Sequence, residues 1–396
     1  VICEGGKKHF LVFFLSCFAY GFSQPLEYRE PFHSLAREGI DALYNGDFSK
    51  SHAIFSRLVE QYPSSPTPYL LLASETWWKI YLDPTNTAYD EALKQYIDKA
   101  LALIQSYEEN HSSLPENYEL GKFLGYALKA RLLAWRRSYF LASRYAMKCL
   151  PVVKENKTFQ DFRYESYLGK GLYAYYREWY EERHPSLRWI LALFPEGNKK
   201  EGIMLLQQCA NQPNYMQVEA MVFLSEIFLF DERNYSEAYK MTKNLILRYP
   251  QNPLFQYLHA LSCYHTHRSM EALTILNRAL ESYPYSPYLQ SPIRVTQSLY
   301  TSYLMARIYT LCVRLYTDAF PNEQLADDFL KKAEKTYSLL SFLPSNEYGY
   351  FLFYKGLLLR KQGKCSESVS CFQQALDYYL SPDYRKRCEK FLEDGC

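Results

Sequence analysis

The chain carries no glycine-rich phosphate loop, no GxSxG elbow, no HExxH pair and no CxxC pair. Nothing therefore points to nucleotide hydrolysis, an elbow serine, a zinc peptidase or dithiol redox chemistry. Glycine and proline are sparse, 15 and 19 in 396 residues, and they punctuate rather than cluster. That excludes a low-complexity or compositionally disordered chain. A surplus of one charge is missing too. The 45 basic and 43 acidic residues leave a formal net charge of +2, which is no footprint for nucleic acid, where a clustered basic face is needed. Arg136-Arg137 and Arg385-Lys386-Arg387 are short enough to be solvated helix faces. Cysteines number 10 and show no regular spacing. Past residue 23 no apolar run is long enough to span a bilayer.

What the chain has in quantity is apolar and aromatic side chains. Hydrophobic residues make up 48% and tyrosine alone supplies 39, enough for a long continuous core. The tyrosines read first as wedges between helices, and second as an aromatic groove.

The apolar pattern is organised around residues 218–284. Ala238 and Ala272 lie 34 residues apart, as do Pro250 and Pro284. Asn234–Ala238 and Arg268–Ala272 each open a second helix. A 34-residue period, a small residue early in the second helix and a closing proline resemble the tetratricopeptide (TPR) repeat. Such helix pairs bury their apolar faces only by stacking. The second copy puts Ala260, Ala272 and Ala279 where helices cross closely. The first puts Ala238 and Leu245 there, with Glu226 in a slot that usually holds a small residue. Gly356, Gly363, Ser368, Phe372 and Ala375 fit the same spacing near the C-terminus, and Gly39, Gly46, Ser51, Phe55, Leu58 and Pro63 near the N-terminus. The expected fold is all-α, a TPR-type right-handed superhelix (an α-solenoid) of antiparallel helix pairs. Its parts are divergent repeats over 24–213, two strict repeats over 214–290, and a helix pair, a repeat and a capping helix over 291–396. Within the first part, residues 171–194 look least like a repeat.

Residues 1–23 have the form of a secretory signal: Lys7 and Lys8, an apolar stretch over Phe10–Phe18, then small residues at Gly21 and Ser23. The expectation is export to the periplasm or peripheral association with the outer membrane. Cys17 sits in a poor lipobox. Asn156-Lys157-Thr158 is a formal glycosylation sequon.

Gly46–Pro63 resembles the units of periplasmic TPR proteins such as the BamD lipoproteins of the barrel-assembly machinery. Trp77-Trp78-Lys79-Ile80, Leu124–Ala127 with Ala130-Arg131, Gly169–Tyr176 and Gly197–Leu206 together resemble an uncharacterised family of exported bacterial TPR proteins. The last stretch is also similar to eukaryotic Iml2-type proteins. These resemblances imply a compartment and a fold, and no reaction.

TPR proteins bind extended peptides on the first helices of their units. Carried over to this chain, the resemblance implies a partner groove of Phe223, Ile227, Phe230, Tyr257, Leu261, Tyr264, Phe353, Arg360 and Lys361. It is apolar and aromatic, suited to a helix or hydrophobic segment of a protein partner. The Lys/Asn pattern of carboxylate clamps is absent. The rival occupant is another part of this chain. A second functional reading is glycan binding through Trp77, Trp78, Tyr173, Tyr176 and Trp179. His259, Cys263 and His267 fall four apart on one helix face, but no fourth ligand is evident, so the sequence assigns no metal. Glu178, Glu181, Glu182 and His184 read as a solvated helix end rather than an acid–base cluster. No catalytic residue and no cofactor is assigned. Oligomeric state is not encoded in any motif.

Overall fold

The computed structural model describes residues 25–154, 159–183, 185, 188–192, 194–282, 301–340, 345–378 and 380–395. The signal segment, the sequon, His184 and Pro284 lie outside them. Every regular element among the described residues is helical. The helices alternate as partners: α1 (Phe32–Tyr44) with α2 (Phe48–Gln61), α3 (Thr67–Leu82) with α4 (Asp90–Asn110), and α5 (Glu116–Trp135) with α6 (Tyr139–Lys148). Then come α7 (Arg163–Arg183) with α8 (Lys199–Asn211), and the strict repeats α9 (Gln217–Glu226) with α10 (Tyr235–Arg248) and α11 (Pro253–His265) with α12 (Ser269–Ser282). Finally α13 (Ser302–Asp318) pairs with α14 (Glu323–Tyr337), α15 (Ser345–Lys361) with α16 (Cys365–Leu376), and α17 (Pro382–Glu393) caps the stack. This is a TPR-type α-solenoid of antiparallel pairs. One apolar core runs through it from Phe32 to Cys388.

Two local devices repeat. The turn inside a pair ends on a left-handed residue: Gly46, Arg137, Arg233, His267 or Gly363. In the second strict repeat, His267 N–H bonds to Tyr264 O at 3.2 Å and Arg268 N–H to Cys263 O at 2.8 Å. That pattern satisfies the last carbonyls of α11 and reverses the chain. The second helices α2, α8, α10 and α14 open on a capping side chain. Asp47 accepts from Lys50 N–H at 2.9 Å and Asn234 from Glu237 N–H at 3.3 Å.

The small-residue slots work by contact. A Cβ on Gly39 would lie 2.4 Å from the Phe55 ring, and one on Gly356 would lie 2.8 Å from the Phe372 ring. The spacing is the same in the first and last repeats. Ala260, Ala272 and Ala279 are fully buried.

Residues 171–183 turn out to belong to a tight helix pair. Gly171 on α7 and Gly202 on α8 face each other, and a Cβ on Gly202 would come within 2.6 Å of Tyr175 N and 2.7 Å of Gly171 O. Glycine, rather than alanine, makes this crossing, which is why the motif was hard to see. After α6 the chain breaks at Cys149, and a short helix over Leu150–Lys154 follows.

The early units also bond to the strict repeats. The Tyr249 hydroxyl donates to Asp41 Oδ1 (2.7 Å), and the Asn252 amide donates to Tyr44 O (2.9 Å), each across 208 residues. Thr301 donates to Leu82 O at 2.7 Å. The superhelix therefore closes upon its own first pairs.

Candidate functional site

The expected groove divides into a covered part and a reachable part. Ile227, Tyr257, Leu261 and Phe353 are buried, Tyr257 to 1% exposure. The cover is the chain's own. Tyr257 donates to Glu347 Oε1 at 3.1 Å and lies under the Arg307 guanidinium, 4.4 Å from the ring centre. Arg307 in turn donates from Nε to Glu347 Oε1 at 2.9 Å. Tyr264 is half-buried. It donates to Asp318 Oδ2 at 2.5 Å, and Arg314 sits 4.4 Å above its ring. Phe353 packs on Phe372 and Tyr384 of the C-terminal cap. Arg360 stacks over Phe391 at 5.0 Å, while Lys361 is exposed and pairs with Glu323 at 2.9 Å. Phe223 and Phe230 are half-buried and face cavities, while Tyr257 and Leu261 border only a small hollow of about 30 Å³.

Phe223 helps to line a mostly apolar cavity of about 370 Å³. Leu71, Phe123, Leu124, Leu168 and Leu172 supply its walls from α3, α5 and α7. The one cation in the wall is Arg131, held 4.5 Å from Trp77, 5.2 Å from Tyr81 and 4.8 Å from Phe223. Such stacking keeps a guanidinium among apolar atoms with favourable ring electrostatics. Phe230 lines a second cavity of about 260 Å³ with Tyr81, Trp135, Tyr176, Asp231 and Arg307.

Between the cavities runs a half-buried polar seam. Trp78 Nε1–H donates to Glu219 Oε1 at 2.6 Å, and the Tyr81 hydroxyl donates to Glu226. Burial pushes both carboxyls above their usual range, while Arg131 pulls them back. Asp231 is raised to about 6, chiefly by burial, with Arg183 opposing. Glu226, the misfit of the repeat motif, is thus the acceptor that ties α9 to α3. Its departure from pattern was the sequence signal for this seam. Glu219 and Arg131 had no such signal, because only the superhelix brings α5 and α9 together.

The other sequence candidates resolve as follows. Trp77 and Trp78 are 2% exposed, so neither offers a face to a sugar. Trp179 donates to Asp231 Oδ1 at 2.9 Å and Tyr173 to Pro195 O at 2.7 Å. Glu178 accepts from Lys199 N–H at 2.5 Å, Glu181 pairs with Arg177 at 2.6 Å, and Glu182 pairs with Lys199 Nζ at 2.6 Å. Glu178 and Glu182 hold α7 against the start of α8, while the Glu181–Arg177 pair lies within α7. His259 and Cys263 are buried together, but His267 occupies the left-handed turn and is exposed. Burial lowers the His259 pKa and pushes the Cys263 thiol up to about 12. Cys149, Cys209, Cys263, Cys312, Cys371 and Cys388 are free thiols, and Cys365 is disulfide-bonded.

No family model matches the chain, and no curated protein sequence matches it. Among solved structures it is similar to human IFIT1, in a dimer with PPP-AAAA, at 11% identity and a TM-score of 0.43 over 84% of this chain and 69% of that one. It is similar to yeast Tom70 at 12% identity and a TM-score of 0.31 over 93% of this chain and 89% of that one.

Proposed function

We propose that the protein is a non-enzymatic scaffold, exported to the cell envelope, that seats an apolar segment of a protein partner in the cavity beside Phe223. The observation carrying this reading is the cavity itself. At about 370 Å³ it falls in the range of pockets that take specific ligands. Its walls are mostly apolar, and the charges in them are Arg131 and Glu219, with Arg131 as the anchor for a partner carbonyl or carboxylate. An apolar hollow of this size on a surface marks an interaction site. Export rests on the charge and apolar pattern of residues 1–23. Intact-mass measurement on protein from the native host checks it, since a chain retaining Lys7 and Lys8 overturns export.

The binding test is occupation of the cavity. Ala127 lines it, so Ala127→Trp should fill the space without breaking a polar contact. A photo-crosslinker at Phe223 in the native host should trap a partner in the wild type and lose it in Ala127→Trp, with the thermal melt unchanged. Trapping that survives the tryptophan overturns this site.

A second reading, glycan binding, now falls on the cavity of about 260 Å³, where Trp135, Tyr81 and Tyr176 meet Asp231 and Arg307. Rings flanked by charged hydrogen-bonding groups suit a sugar. An oligosaccharide array bound by the wild type and not by Trp135→Ala would support it.

A further inference from the structure

We propose that His259, Cys263 and Glu271 form a zinc(II) site inside the second strict repeat. His259 and Cys263 are one turn apart on α11. The left-handed turn at His267 folds the start of α12 back on them and sets Glu271 opposite. The three ligand atoms lie within 4.8 Å of one another. His259 Nε2 is 3.4 Å from Glu271 Oε1 and 3.9 Å from Cys263 Sγ. Tetrahedral zinc with ordinary bond lengths puts neighbouring ligand atoms about 3.3–3.6 Å apart. The His259–Glu271 pair already has that spacing, the His259–Cys263 pair exceeds it by a few tenths of an ångström, and Cys263 and Glu271 lie within 4.8 Å of each other.

The outer partners are already in place. His259 Nδ1 is 2.9 Å from Thr242 Oγ1, and that hydroxyl is 2.8 Å from Ala238 O. A hydroxyl has one proton, and the carbonyl can only accept it. Thr242 therefore accepts from Nδ1–H, and Nε2 presents its lone pair to Cys263 and Glu271. Metal-bound histidines are oriented by this kind of second hydrogen bond. The Tyr239 hydroxyl, 3.3 Å from both Glu271 oxygens, holds the carboxylate. Tyr239 is itself covered by Arg268 at 4.5 Å.

The donor set chooses the metal. One thiolate, one imidazole and one carboxylate suit zinc, whereas calcium and magnesium take oxygen. His259 and Cys263 are buried and Glu271 is 37% exposed, so the fourth position opens toward solvent on the Glu271 side. The ion would clasp α11 to α12.

The test uses the full chain, stripped with a chelator and titrated with cobalt(II), then zinc(II) in competition with a chromophoric chelator. The expected result is one tetrahedral cobalt per chain with a thiolate charge-transfer band. Cys263→Ser should abolish the band, and Glu271→Gln should weaken zinc binding roughly 10-fold or more. His267→Gly should leave both unchanged. If Cys263→Ser does not fold, Glu271→Gln, on the half-exposed side, carries the test. Absence of the band in the wild type, or zinc binding unaltered in Glu271→Gln, overturns the site. Weakened binding in His267→Gly would give the third ligand to the turn residue and overturn Glu271.

Discussion

The Trp78 indole and the Glu219 carboxylate are joined by a hydrogen bond of 2.6 Å across 141 residues of sequence. Trp78 belongs to α3 and Glu219 to the first strict repeat, so the bond ties two distant units. Trp78→Phe keeps the ring and removes the donor. The expected cost is about 1–3 kcal/mol, because a half-buried carboxylate loses a partner. Urea denaturation measures it, and a midpoint unchanged by the substitution would show that the bond contributes nothing.

Asp231 gives the fold a pH dependence of known sign. Its folded pKa is raised to about 6, against about 3.9 in an unfolded chain. A raised carboxyl pKa means that the folded state holds the proton more tightly. The contribution is fully present below about pH 3.9 and is lost as pH rises through about 6. Asp231→Asn keeps an acceptor for Trp179 and cannot titrate. Between about pH 4 and pH 7 the wild type should lose on the order of 2–3 kcal/mol that the variant does not. Denaturation curves at several pH values give the difference, and parallel profiles would contradict it.

The close crossings should reject added atoms. Gly356→Ala brings a methyl within 2.8 Å of the Phe372 ring, and Ala272→Leu overfills a slot with no exposure at all. Each should cost about 1–3 kcal/mol. A thermal melt unchanged by Ala272→Leu would argue against the repeat register.

Tyr257 and Tyr264 are held by acidic and arginine partners within the chain. The double change Tyr257→Ala with Tyr264→Ala should therefore lower stability, with Tyr257 alone costing about 3–5 kcal/mol. A melt that stays intact would mean that the two rings carry little of the packing and are free for a partner.

The repeat was legible because its signals are local. Glycine and proline punctuation, a small residue sixteen before a ring, and a capping Asn or Asp all lie within one unit. The pair α7 and α8 was less so, since Gly171 and Gly202 sit in a tyrosine-rich run that masks the spacing. The covering of Tyr257 was harder still. It depends on Arg307 and Glu347, from helices one and two units further on. The cavity beside Phe223 needs α3, α5, α7 and α9 at once, and no window of the sequence contains them all. Likewise His267 matched the helical spacing of His259 and Cys263, while the turn at that position hands the third place to Glu271.

The bonds from Tyr249 to Asp41 and from Asn252 to Tyr44 change how such a chain should come apart. An open solenoid frays from its ends, because each unit leans only on the next. Here the first pair leans on the second pair and also on α10 and α11. The nearest-neighbour description gives way to something like a clasped ring. Loosening α1 would uncover the strict repeats as well as the unit beside it, and truncation there would remove a wall from the middle of the protein.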